Sequence, residues 1–165
     1  MMAWTVKFWW VEFMRDTSGH SARYLIREAI ALALAAEPAF AGLPIIRNPR
    51  EASSLSKGLQ VLVLKDENDV LQSQTGTAKS GITEKRVFSF GLGVLSRNEG
   101  ADEDADLLHV IATRVVRATL QALQQDRRVL ELKESSVQFS VENLQIDGAL
   151  VLGNWEVVYA RNRND

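Results

Sequence analysis

The sequence predicts an α+β fold: a mostly antiparallel sheet with two helices packed on one face, a two-layer sandwich. Three observations predict it. Two stretches carry apolar residues at helical spacing, near residues 21–38 and 98–128. Several shorter stretches alternate with a period of two. The order of these stretches, helix, strands, helix, strands, does not repeat the β-α-β rhythm of a parallel sheet.

The first helix lies in "SGHSARYLIREAIALALAAEP". Leu25, Ile26, Ala29, Ile30, Ala33 and Leu34 form its apolar face. Ser18 or Ser21 caps its start, and Pro38 stops it. Its alanines suit close packing on a sheet. A short strand follows around Ile45–Arg47, then a breaker at Pro49 and a polar linker from Arg50 to Lys57. "GLQVLVLKD" reads as a buried strand, Leu59 to Lys65. The polar stretch from Glu67 to Gly81 reads as a long hairpin arm or a mobile loop. In "TEKRVFSFGLGVLSR", Phe88, Phe90, Leu92 and Val94 share one face, and Ser89, Gly91 and Gly93 the other. Small residues on alternate positions imply a close approach, most simply by a helix backbone.

The second helix carries a predicted buried stripe of Leu108, Ile111, Val115, Ala118 and Ala122, flanked by Leu107 and Leu123. Asp102, Glu103, Asp104 and Asp106 sit in its first turns and Arg127 and Arg128 at its end, and both placements suit the helix dipole. "SSVQFSVE" alternates with Val137, Phe139 and Val141 inward, "NLQIDG" is a connection, and "ALVLGNWEVVYARNRND" is the last strand. The domain reading is a single domain over 15–161 and a charged tail at 162–165. The aromatic segment 1–14 (Trp4, Phe8, Trp9, Trp10, Phe13) is either a peripheral arm or the product of a start upstream of the true one at Met14. Lys7 and Glu12 interrupt that segment and no small-residue cleavage site follows, so the expectation is neither a secretory leader nor a membrane span.

A chain of 165 residues that is 46% hydrophobic and 24% charged has the composition of a globular domain. Its formal net charge of −2 argues against nucleic-acid binding by bulk electrostatics. With no cysteine, it has no disulfide, thiolate metal site or cysteine nucleophile. Of the two histidines, His20 lies at the edge of the first helix, and His109 has Thr113 rather than a second metal ligand at i+4. "DEDAD" lacks the spacing of a calcium loop, and in "GTAKSG" the closing Gly81 is followed by Ile82 and Thr83 rather than by the Lys and Ser/Thr of a phosphate loop. There is no G-x-S-x-G elbow. The sequence therefore assigns no catalytic, metal or cofactor residue, and the expectation is a non-enzymatic protein without a cofactor.

Taken together, the chain resembles the phage tail terminator family, the group of the lambda minor tail protein U. The resemblance rests on "AIALALAAEPAFAGLPIIRNPR", "RVFSFGLGVLSRNEGADEDADLLHVIATRVVRATL" and "SSVQFSVENLQIDGALVLGNWEVVYAR". It covers about Ser21 to Arg161 and lies in the order of elements rather than in fixed residues. What it implies is a homo-hexameric ring that caps the tail tube, stops its polymerisation and offers a surface to the head–tail connector protein. Its partners would be the tail tube protein, the connector and DNA passing through the channel without sequence-specific binding, with no membrane. Its place would be the virion tail, reached from the host cytoplasm during assembly. Trp155 and Tyr159 on the last strand, with Gln74, Thr75 and Lys79 on the arm, would make subunit or tube contacts. Asp102, Glu103, Asp104 and Asp106 would face the channel. Another neck or baseplate component is one alternative reading. A small ligand-binding or enzymatic domain is a second, in which His109, Arg114 or Glu84 would converge in a cleft.

Overall fold

The computed structural model describes residues 21–48, 60–97, 100–140 and 148–162, with side chains left out at 136–140 and 162. The expectations for residues 1–14, His20, the breaker and linker at 49–57, the inward side chains of Val137, Phe139 and Val141, and the tail beyond 162 lie outside the described residues.

Helix α1 spans Ala22–Ala36. Its start is set by Ser21, whose hydroxyl accepts from the Tyr24 amide at 3.2 Å. It ends before Pro38, which opens a 3-10 turn, Pro38–Phe40, that buries Phe40. Strand β1 (Ile45–Arg47) lies parallel to β2 (Gln60–Thr77), with Ile46 opposite Val63. Strand β2 then turns into β3 (Gly81–Ser96) as one long antiparallel hairpin. The stretch from Glu67 to Gly81 is thus the hairpin arm rather than a loop. At its tip Gly76 has a φ of +97°, and a Cβ there would lie 2.1 Å from the Gly81 carbonyl oxygen, so the turn requires glycine.

Helix α2 spans Ala101–Gln125 and is followed by β4 (Val129–Ser140) and β5 (Ala149–Asn162). The helix ends in a Schellman closure: the Arg127 amide donates to Gln124 and the Arg128 amide to Leu123. Arg127 takes the left-handed position there, with φ +59°. The sheet order is β1-β2-β3-β5-β4, with every pair but β1–β2 antiparallel. The fold is α+β, with helices packed on a mostly antiparallel five-stranded sheet.

Both helices share one face of the sheet. The helix layer contributes Ile26, Ile30 and Leu34 from α1, and Ala112, Val116 and Leu120 from α2. They meet Phe88, Phe90 and Leu92 of β3 and Val151, Trp155 and Val157 of β5 in one core.

Two expectations need correction. The buried stripe of α2 is Ala105, His109, Ala112, Val116, Leu120 and Leu123. Leu108, Ile111 and Val115 are only half-buried flanks, while Leu107, Ala118 and Ala122 are exposed. The helix is rotated by about one residue, ~100°, from the expected orientation. Ala105 and Ala112 face the sheet because small side chains let the helix sit low on it. Among the described residues, the glycine face of β3 is likewise not covered by a helix. A Cβ at Gly91 or Gly93 would meet Leu152, and at Gly93 also Val63 and Leu150, which are side chains of neighbouring strands leaning across the helix-free face.

Candidate functional site

The sheet has two halves, and among the described residues only one is covered by helices. The core of that face ends at Leu64 on β2, Phe88 on β3 and Tyr159 on β5. Beyond this line the strands continue: β3 stays paired with β5 as far as Thr83 opposite Asn162, and with β2 to the hairpin tip. Between Asp69 and Thr77 the arm reaches about 25 Å at ~3.3 Å per residue.

Where the apolar core stops, an ion network begins. Tyr159 is the hinge between them. Its ring is buried, 1% exposed, and its phenol donates to Asp69 Oδ2 at 2.9 Å. Arg86, opposite Tyr159 in the sheet, donates from Nε to Asp69 Oδ1 at 3.0 Å and from Nη2 to the Asp69 carbonyl at 3.1 Å. Its Nη1 reaches Glu84 Oε2 at 3.2 Å, and Arg161 closes on the same oxygen at 2.9 Å. Arg23 at the start of α1 lies 3.8 Å from Asp69. A second group adjoins the first: Arg27 donates to Asp66 at 2.6 Å, and the Asn48 side chain both donates to the Asp66 carboxylate and accepts from its amide. Arg47 pairs with Glu28.

The electrostatics follow from these contacts. The Arg161 hydrogen bond is the main influence that holds the Glu84 carboxyl below its ordinary range. The hydrogen bond to Asp69 holds the Arg86 guanidinium charged. Burial, then the Asp69 carboxylate, pushes the Tyr159 phenol up to about 12.

On the opposite face of this bare half, Val70, Val87 and Val158 stand in one cross-strand row. Val70 is 57% exposed, and Leu71 beside it is exposed on the other face. An open groove of about 580 Å³ lies next to the row. Val87 and Val158 line it, with Gln72, Glu131, Lys133 and Glu156 at its sides. Lys85 bridges to Glu131 at 3.5 Å across the sheet. These groups offer surface for contact, but they include no nucleophile and base in hydrogen-bonding reach of each other.

The residues singled out in the sequence fall in three places. Gln74, Thr75 and Lys79 are exposed near the tip of the arm, where the Thr77 and Ser80 hydroxyls lock the turn at 2.9 Å. Asp102, Glu103 and Asp106 are exposed and Asp104 partly exposed in the first turns of α2. Trp155 and Tyr159 are not contact residues, which corrects the expectation. Trp155 is 1% exposed and stacks on Phe90, with ring centroids 6.4 Å apart. The physical reason is topological: β5 lies between β3 and β4, so the last strand is interior and has no free edge.

His109, Arg114 and Glu84 do not converge. His109 is buried under α2 beside Leu92, Arg114 is exposed, and Glu84 lies eight residues from Leu92 along β3, about 26 Å at ~3.3 Å per residue. Among the described residues no group of three or more His, Cys, Asp or Glu stands close enough to hold a metal ion. The residue that sequence reasoning missed is Asp69, which joins arm to core. Its only signal is position: it is the last charge of the run Lys65, Asp66, Glu67, Asp69, before the uncharged stretch Val70 to Ala78. No protein-family model matches the chain, and no curated protein matches it.

Proposed function

We propose that the chain is a structural subunit of a phage or prophage tail, a tail-terminator-like protein that forms a hexameric ring on the end of the tail tube. In this reading the ring stops polymerisation of the tube protein and then presents a surface to the head–tail connector. The single observation that carries it is the bare half of the sheet. A stiff arm, braced by Asp69, Glu84, Arg86 and Arg161, extends past the helix layer and exposes Val70 and Leu71. Bracing an arm with half-buried paired charge, while leaving apolar side chains in water on both of its faces, suits a surface completed by another chain. A ring needs two different patches of one subunit to meet. The arm is one. The exposed side of α2, with Leu107 at 61% and Val110 at 49%, is the other.

Side chains, not free strand edges, would carry those contacts. Both edges of the sheet are interrupted by irregular register, in β2 between Asp66 and Asn68 and between Leu71 and Ser73, and in β4 between Glu134 and Ser136. Bulges of this kind discourage edge-to-edge pairing. The acidic turn of α2 (Asp102, Glu103, Asp104, Asp106) would face the channel and repel passing DNA, and Gln74, Thr75 and Lys79 would touch the tube or a neighbour. The site of action would be the virion tail, after assembly in the host cytoplasm.

Negative-stain electron microscopy of the purified protein at high concentration, alone and mixed with tail tubes, tests the reading. The expected result is rings of about six subunits with an open centre, or caps on tube ends. Monomers alone, with tube ends left bare, would overturn it. Binding to another part of the tail instead would place the chain among neck or baseplate components.

A further inference from the structure

The core seam between α2 and β5 contains three polar atoms that the fold has buried without a protein partner: His109 Nε2, Thr113 Oγ1 and Trp155 Nε1. Side chains of this kind rarely stay unsatisfied in a folded protein. His109 is 4% exposed and Trp155 1%.

The fold brings the three together. His109 sits directly over Gly153, so closely that a Cβ there would lie 2.8 Å from its Nε2. From that point α2 and β5 run the same way, because α2 leads through its closing turn to Val129, which pairs with Tyr159 further along β5. One helical turn past His109 is Thr113, about 6 Å on. Two residues past Gly153 on the same face of β5 is Trp155, about 6.6 Å on. One turn further on, Arg117 reaches back to Glu134 at 3.0 Å, and Glu134 is the register partner of Trp155, so this stretch of α2 lies along the β4–β5 pair. Thr113 therefore faces Trp155 in the same line that puts His109 over Gly153.

Their chemistry is complementary. The indole N–H can only donate. The other nitrogen of His109 is taken by the Leu92 backbone carbonyl, so it carries the proton and leaves Nε2 as an acceptor. Thr113 can do either. We infer that these three atoms form an internal hydration site, in which a single sealed water accepts from Trp155 Nε1, donates to His109 Nε2 and shares its remaining bond with Thr113. Gly153 makes room for the His109 ring, and so sets where Nε2 stands. The charged groups around the site are Asp106 and Arg117 on α2 and Glu134 on β4, and Arg117 is already bridged to Glu134. The site keeps His109 neutral and holds α2 to one register on the sheet, since a slip by one residue would leave all three atoms dry.

Nuclear magnetic resonance on the full chain tests this. The indole proton of Trp155, assigned by comparison with Trp155→Phe, is expected to show a cross-peak to a long-lived water. Thr113→Ser should keep it and Thr113→Val should lose it, with the amide spectrum otherwise unchanged. A hydrogen-bond coupling between the Trp155 and His109 ring nitrogens would mean direct contact and overturn the proposal. An indole proton with no water contact in the unaltered chain would also overturn it.

Discussion

The covered and bare halves of the same strands are held together by different forces. Over the covered half, β3 and β5 present Phe88, Phe90, Leu92, Val151, Trp155 and Val157 to the helices, and the cohesion is apolar burial. Over the bare half, the same two strands present Arg86, Glu84, Tyr159 and Arg161, and the cohesion is paired charge and cross-strand hydrogen bonding. The change happens within two residues, from Phe88 to Arg86. The lesson is that a continuous sheet can be two mechanical parts, one fixed by the exclusion of water and one by geometry among charges.

The comparison can be broken most severely at its centre. Trp155→Ala should cost about 3–5 kcal/mol of global stability, read as a shifted urea midpoint, because a large ring stacked on Phe90 leaves a cavity that the sheet cannot close. Gly153→Ala should cost about 1–3 kcal/mol, since the new methyl collides with His109 and α2 must lift. A denaturation series that finds Gly153→Ala neutral would show that α2 is not seated as described.

Acid and alkali should sort the halves next. Burial lowers the affinity of His109 for a proton, so its contribution is complete above the unfolded value of 6.5 and is lost as pH falls toward its folded value. His109→Gln should flatten that part of the stability curve. Glu84 is held low by Arg161, so its contribution is present above 4.5 and disappears on further acidification. Tyr159 acts in the other direction: its share is intact below 10 and is lost as pH rises toward about 12.

Arg86→Met should have a smaller effect on global unfolding. It should speed hydrogen exchange at amides of residues 69–87 more than at those of the core strands. If the core amides accelerate equally, the halves are not separate parts. The smallest effect belongs to Lys79→Ala, Gln74→Ala and Thr75→Ala, expected within about 0.5 kcal/mol of the unaltered chain because these side chains are exposed. If the ring reading holds, the same changes should weaken capping of tube ends in a mixing assay.

What could be read from the sequence was whatever depends on neighbours in the chain. The Ser21 cap, the stop at Pro38, the strand at Ile45–Arg47 and the inward set of Phe88, Phe90, Leu92 and Val94 all follow from local chemistry and period. The face of α2 did not follow, because the helix carries apolar residues on more than one side. The series 105, 109, 112, 116, 120, 123 fits a 3.6 period as well as the series that starts at Leu108. The ion network was invisible for a different reason: Tyr159 and Asp69 are 90 residues apart, and nothing local ties them. The burial of Trp155 could not be settled without the strand order, because an aromatic alternation looks the same at an edge and in the middle of a sheet.

That strand order has a consequence for how the molecule is made. Strands β3 and β4 flank β5, yet both are synthesised before it, and Ser96 must wait for Ala149. Until β5 leaves the ribosome, the two earlier strands have a slot between them and no ladder to close it. Pairings this distant in sequence slow folding. The nascent chain would therefore carry β2–β3 as a preformed hairpin and hold α2 loosely, and β5 would enter last, as a keystone does in an arch.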